Sequence, residues 1–128
     1  MRSEDTEAGV LRHWSVEDVR DGLDRGEVVL IDVRTPAEFA FERIRGALLS
    51  PMQELDPKHL PQPGGRRHVV FHCGSGVRSR RMAELALRAG WSGADHMEGG
   101  FAAWKQAGLG YIGTDMASGA PRDMTARK

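Results

Sequence analysis

The chain has a single cysteine in 128 residues, so no disulfide can close within it and no cysteine-rich metal site can be assembled. It also lacks an excess of charge. Eighteen basic residues stand against eighteen acidic ones, which leaves no bulk attraction to nucleic acid or to an anionic membrane. Long apolar runs are missing too: those at 28–31 and 69–71 fall far below the roughly 18 to 20 residues of a membrane-spanning helix. The first ten residues, MRSEDTEAGV, do not have the basic-then-apolar order of a secretory signal or the character of a mitochondrial presequence. A cytoplasmic protein is expected. Neither a heptad pattern nor an internal repeat is present, so a monomer is expected as well.

What remains is globular. At 40% hydrophobic and 28% charged residues, the chain has the composition and length of one domain. Arginine outnumbers lysine fifteen to three, which suits anion recognition but is explained more simply by coding bias. Residues 1–9 and 113–128 have no hydrophobic periodicity and are expected to be flexible termini around a domain at 10–112. Ser15, with Val16, Val19 and Leu23 at helical spacing, predicts a helix over 15–25. The run VVLIDV at 28–33 is β-branched and nearly all apolar, as in a strand buried on both faces of a parallel sheet. Thr35-Pro36-Ala37-Glu38 reads as a capping box with proline preset for the first helical turn. A brief strand at 46–50 leads into a proline-rich connection at 51–65, expected to hold only short helical turns.

A further strand is predicted at 68–72, then the loop Cys73-Gly74-Ser75-Gly76, then an amphipathic helix over 77–89. A last strand at 94–97 and a helix beginning near Phe101 and ended by Gly108 complete the pattern. Helix and strand alternate throughout, which predicts an α/β fold: a central parallel sheet of about five short strands with helices on both faces. Ligands of such sheets bind beyond the carboxyl ends of the strands, and Cys73 lies at one.

A strand feeding a glycine-rich loop that opens a helix gathers backbone N–H groups around one concavity, at the positive end of a helix dipole. In that setting the loop amides and the Arg78 guanidinium would favour the Cys73 thiolate and make it a nucleophile at neutral pH. Gly74 and Gly76 supply the backbone freedom, and Ser79 adds a hydroxyl. The plain alternative is a buried, inert cysteine after a strand. The loop context favours function.

Taken together, CGSGVRS at 73–79, VVLIDVRTPAEF at 28–39 and MEGGFAAWKQAGL at 97–109 resemble a single-domain rhodanese, over nearly the whole of 10–110. The resemblance implies a small α/β domain whose Cys73 cycles between thiol and persulfide. It also implies a persulfide-stabilising, substrate-binding loop of Gly74, Ser75, Gly76, Val77, Arg78 and Ser79, and no cofactor or metal. Four residues separate Cys73 from Arg78, where cysteine phosphatases of related fold have five. By the resemblance, Asp32, Arg34 and Glu38 support the site structurally, with Glu38 near enough to pair with Arg78. His96 and Glu98 are placed near the loop rim, and His72 at a strand end.

Arg43 and Arg45 stand where the family's Gly-His-Ile-Pro-Gly-Ala pattern is replaced, and are candidate contacts for an anionic donor at the entrance. Gly74 occupies a position at which many thiosulfate-using members carry arginine. His13, His59 and His68 have no metal-ligand spacing and are expected to be surface or capping residues.

The implied reaction moves a sulfane sulfur from thiosulfate or a small persulfide to cyanide or a thiol. Its partners are small-molecule donors and acceptors, or a protein sulfur donor or acceptor. The alternatives are a partner-dependent persulfide carrier, a regulatory domain without turnover, a cysteine phosphatase and an arsenate reductase. A reductase lacks its resolving thiol here, since there is no second cysteine.

Overall fold

A computed structural model describes residues 1–60 and 67–124. Residues 61–65 of the proline-rich connection and 125–128 of the expected tail lie outside the described residues.

Among the described residues, eight strands and four helices follow in chain order: β1 (Arg2–Thr6), β2 (Gly9–Trp14), α1 (Val16–Asp24), β3 (Val28–Asp32), α2 (Pro36–Phe41), β4 (Leu48–Leu49), β5 (His68–His72), α3 (Val77–Arg88), β6 (Gly93–Met97), α4 (Gly100–Gln106), β7 (Tyr111–Thr114) and β8 (Pro121–Met124). Two 3₁₀ turns, Met52–Glu54 and Pro57–His59, lie between β4 and β5. The central sheet has six strands in the order β1-β2-β6-β5-β3-β4. Five run parallel, and β1 joins β2 antiparallel at the edge.

Side chains alternate across this sheet, so each strand feeds two cores. Ile31, Val69, Phe71, Ala94 and Cys73 face α3, where Met82, Ala83, Ala86 and Leu87 close one core and Phe71 stacks on Trp91. Leu30, Val70 and Met97 face the other way, towards Val19 of α1 and Phe101 and Trp104 of α4. Burying a side chain such as Phe71 completely contributes up to about 3 kcal/mol over leaving it in water. The helix starts follow local chemistry: Ser15 caps α1, and Thr35 with Glu38 forms a complete capping box on α2.

Three features depart from the expectations. β2 was not foreseen, because Arg12 and His13 interrupt its apolar pattern; Arg12 is accommodated by a paired contact with Asp95 of β6 at 2.6 and 3.1 Å. Residues 1–9, expected to be flexible, contain β1, an edge strand whose polar side chains carry no periodic signal because its register rests on the backbone ladder to β2. The expected tail contains β8, which forms a two-stranded hairpin sheet with β7. That hairpin is tied to the domain by reciprocal backbone bonds between Arg43 and Ile112 at 2.8 and 2.9 Å. Among the described residues, no helix is long and apolar enough to cross a membrane.

Candidate active site

Strand β5 ends at His72, and the next four residues, 73–76, wrap back over the end of the sheet before α3 begins at Val77. Gly76, the residue before α3, has a left-handed φ of 101° and provides no side-chain cap. The first-turn amides that a serine or aspartate would ordinarily satisfy need another acceptor. They find it in Cys73. Its Sγ accepts from the Gly76 N–H at 3.0 Å and from the Ser79 N–H at 3.4 Å. The sulfur thus takes the place of the missing cap, at the helix end that favours negative charge. The Cys73 thiol also lies within donating distance of Ser79 Oγ, at 3.7 Å.

Cys73 has no exposed surface. Burial opposes its ionisation more strongly than any single other influence. The Ser79 backbone N–H, the Ser79 hydroxyl and the N–H groups of Gly76 and Ser75 together outweigh that cost, and the thiol sits below its ordinary range. The direction and the part played by the loop amides agree with the sequence expectation, whereas the Arg78 guanidinium acts on the sulfur through its charge and not through a hydrogen bond. Arg78 is turned aside and binds Glu38 through both guanidinium nitrogens, at 2.9 and 3.1 Å. That pairing holds the Glu38 carboxyl at about 2, against an opposing effect of burial.

Below the loop, the start of α4 meets it end on. The Phe101 and Ala102 amides donate to the carbonyls of Cys73 and Gly74 at 2.8 and 3.0 Å. Gly100, with φ of 61°, sits so close that a Cβ there would lie 2.6 Å from the Cys73 carbonyl oxygen. Its importance was not recognised from sequence, although the paired glycines of Glu98-Gly99-Gly100 are a visible signal for close backbone approach.

Asp32 and Arg34 form a buried pair beneath the neighbouring loop, with Arg34 Nη2 to Asp32 Oδ2 at 2.8 Å and a further bond to the Glu42 carbonyl at 2.6 Å. Burial works against the Asp32 carboxylate, but His72 and Arg34 outweigh it and hold the group at about 2. His72 Nε2 lies 3.4 Å from Asp32 Oδ2, an electrostatic contact without hydrogen-bond alignment.

The entrance residues fall elsewhere. Arg43 rests over the Phe39 ring. Arg45 pairs with Asp123 of the hairpin and lines a groove with Arg20, Leu23 and Trp104. Among the described residues, neither contacts the Cys73 loop. His13, expected at the surface, is 3% exposed and bonded to His96 and Glu4. It became buried because β1 covers the edge of β2, which the sequence pattern did not reveal. His59 is exposed and His68 half-buried against Trp14. A cleft of about 480 Å³ opens beside the loop, lined by Ser75, Val77, Arg81, His13, His96 and Glu98.

The chain matches the rhodanese-like domain over residues 15–107. It belongs to the rhodanese-like domain family. Across the matched region lie all of the loop, Asp32, Arg34 and Glu38. An uncharacterised protein of Synechocystis is 43% identical over 90 residues, 70% of this chain and 50% of that protein. A sulfurtransferase of Allochromatium vinosum is 37% identical over 86 residues, 67% of this chain and 79% of that one. The structure of a human single-domain sulfurtransferase superposes with a TM-score of 0.61 at 30% identity, covering 72% of this chain and 93% of the human one. The rhodanese-like chain thus spans about half the length of its Synechocystis relative.

Proposed function

We propose that this rhodanese-like protein is a sulfurtransferase that carries a sulfane sulfur as a Cys73 persulfide. The observation that carries the reading is Cys73 Sγ acting as acceptor for the Gly76 and Ser79 amides in a loop with only four residues between cysteine and arginine. A thiolate so held attacks the outer sulfur of thiosulfate or of a small persulfide. One S–S bond forms, the donor's S–S bond breaks, and sulfite or a thiolate leaves with the bonding electron pair. The amides that cap the thiolate then stabilise the terminal sulfur of the Cys73 persulfide. An acceptor thiolate or cyanide takes that sulfur and restores the Cys73 thiolate.

Ser75 and Val77 form the exposed rim over which a donor reaches the buried sulfur. In this reading Arg78 and Glu38 brace the loop, and the Asp32–Arg34 pair anchors the strand end beside it. Thiosulfate, a compact dianion, meets no second guanidinium at Gly74, so a small persulfide, whose charge is more widely spread, is favoured over thiosulfate as donor. The relative named a sulfurtransferase supports the reaction class. The test is a steady-state assay with thiosulfate and with glutathione persulfide as donors and cyanide as acceptor. Parallel lines in the double-reciprocal plot mark double displacement through the enzyme-bound sulfur; intersecting lines contradict it.

A further inference from the structure

Ser79 leads away from Cys73 into a line of buried polar side chains that the sulfur chemistry above does not use. Ser79 Oγ is 3.0 Å from His96 Nδ1, and His96 Nε2 is 2.8 Å from His13 Nδ1. His13 Nε2 is 2.9 Å from Glu4 Oε1, where the line reaches half-exposed surface on β1. Both histidines are 3% exposed and Ser79 is fully buried. Two imidazoles in direct contact inside a sheet are costly unless each nitrogen has a defined role.

Those roles follow from the outer end inwards. Glu4 is held ionised by bonds from His13 and Arg80, and a carboxylate can only accept. With both imidazoles neutral, His13 carries its proton on Nε2 and its Nδ1 accepts from His96 Nε2–H. His96 Nδ1 in turn accepts the Ser79 hydroxyl proton, in preference to the Gly76 carbonyl 3.2 Å away. That leaves a lone pair of Ser79 Oγ facing the Cys73 thiol. Every donor then points from sulfur to surface.

We propose that this line is a proton relay that creates the Cys73 thiolate by passing its proton through Ser79 and His96 to His13. The inference deepens the sulfurtransferase reading, since it rests on Cys73 as nucleophile. The S–H proton goes to Ser79 Oγ, the Ser79 proton to His96 Nδ1, and the His96 Nε2 proton to His13 Nδ1. The electron pair of the S–H bond stays on sulfur, and nothing is oxidised or reduced. Afterwards Ser79 donates to the thiolate, His96 is neutral in its other tautomer, and His13 is an imidazolium. The nucleophile is one half of a thiolate–imidazolium pair whose other half lies two side chains away.

The surroundings sort the two histidines into these roles. His13 faces Glu4 from β1 at 2.9 Å and Glu98, just beyond β6, at 3.4 Å. Arg80 of α3 binds Glu4, and Arg2 of β1 binds Glu98, so each carboxylate is held in place beside the ring. Among the described residues, no carboxylate lies within bonding distance of His96; burial, and then the charge that His13 carries once protonated, hold it at about 4. It passes a proton without keeping one. His13 and His96 are accordingly positioning residues for ionisation of the nucleophile, not groups that touch the donor.

The test is the ultraviolet absorbance of the thiolate, titrated with pH in the reduced full chain and corrected with Cys73→Ser. His13→Gln, which removes the proton acceptor, raises the ionisation midpoint by about one pH unit, a tenfold loss of thiolate at neutral pH. Glu4→Gln guards against misfolding of the first variant, because Glu4 lies at the surface end. Direct Coulomb repulsion between Glu4 and the thiolate predicts that removing the negative charge lowers the midpoint. The relay predicts a rise of about half a unit, about threefold in thiolate, because the imidazolium loses its partner. An unchanged or lowered midpoint in Glu4→Gln overturns the relay. Uptake of sulfur by the wild type is measured separately: midpoints that move as stated in a protein that takes up no sulfur would refute the transferase reading and leave the relay standing.

Discussion

Cys73 has two flanks, built in opposite ways. On one side Arg78 and Glu38 form a two-point ion pair with both side chains more than a third exposed, in reach of water and salt. On the other, Ser79, His96 and His13 form a line of short polar contacts with almost no exposure. An exposed pair contributes little to stability and is screened by salt. A buried polar line contributes little net when complete, but leaves an unsatisfied group in a dry interior when any member is removed. The open flank can therefore shape the loop at little thermodynamic cost, whereas the closed flank is suited to controlling the charge on the sulfur.

The largest effect is expected where both flanks lose their common object. Cys73→Ser keeps the shape of the side chain but removes the thiolate, so sulfur transfer falls to background while the melting temperature stays close to wild type. Retained turnover would remove the sulfur from the mechanism. Next comes the floor beneath both flanks: Gly100→Ala places a methyl against the Cys73 and Gly74 carbonyls at a positive φ. A loss of about 1–3 kcal/mol, with a matching fall in activity, is expected in denaturant titration.

The flanks separate in the third comparison. Ser79→Ala leaves His96 Nδ1 without its hydroxyl and costs about 1–3 kcal/mol, with a raised thiol midpoint. Arg78→Ala removes an exposed pair and costs less than about 1 kcal/mol, with a smaller shift of that midpoint. Equal effects on midpoint and stability would erase the distinction.

Acid distinguishes the flanks most gently. His96 titrates near 4 in the folded protein against 6.5 unfolded, so between these values the unfolded chain binds the extra proton. Stability contributed by neutral His96 is complete above about pH 6.5 and declines as pH falls towards 4. Glu38, lowered from 4.5 to about 2 by Arg78, contributes stability above about pH 4.5 that is lost as pH falls through 2. Melting temperatures across this range should fall in two stages, and His96→Phe should remove the upper one.

The open flank was legible in the sequence, and of the closed one only Ser79 in the loop and, through the family resemblance, the place of His96 near the loop rim, for a physical reason. The capping box at Thr35 and Glu38, the glycines at 74 and 76 and the strand-loop-helix pattern around Cys73 are local signals, each readable within a few residues. Strands β3, β4, β5 and β6, and all four helices, are legible for the same cause. His13 and His96 are 83 residues apart and meet only because β2 pairs with β6. Nothing near His13 announces that partner. β1 is similarly silent, since an edge strand with charged side chains is held by backbone bonds that any sequence can make. Arg45, which the family resemblance places at the entrance, pairs instead with Asp123 of the hairpin, a partner 78 residues away that no local signal announces.

The central claim is a persulfide on Cys73, and intact mass measures it most directly. Reduced protein is incubated with thiosulfate and, separately, with glutathione persulfide, then with cyanide, alongside Cys73→Ser. The account predicts a gain of one sulfur atom on the wild type alone, larger with the persulfide donor and removed by cyanide. No gain from either donor, or an equal gain on the serine variant, would contradict it.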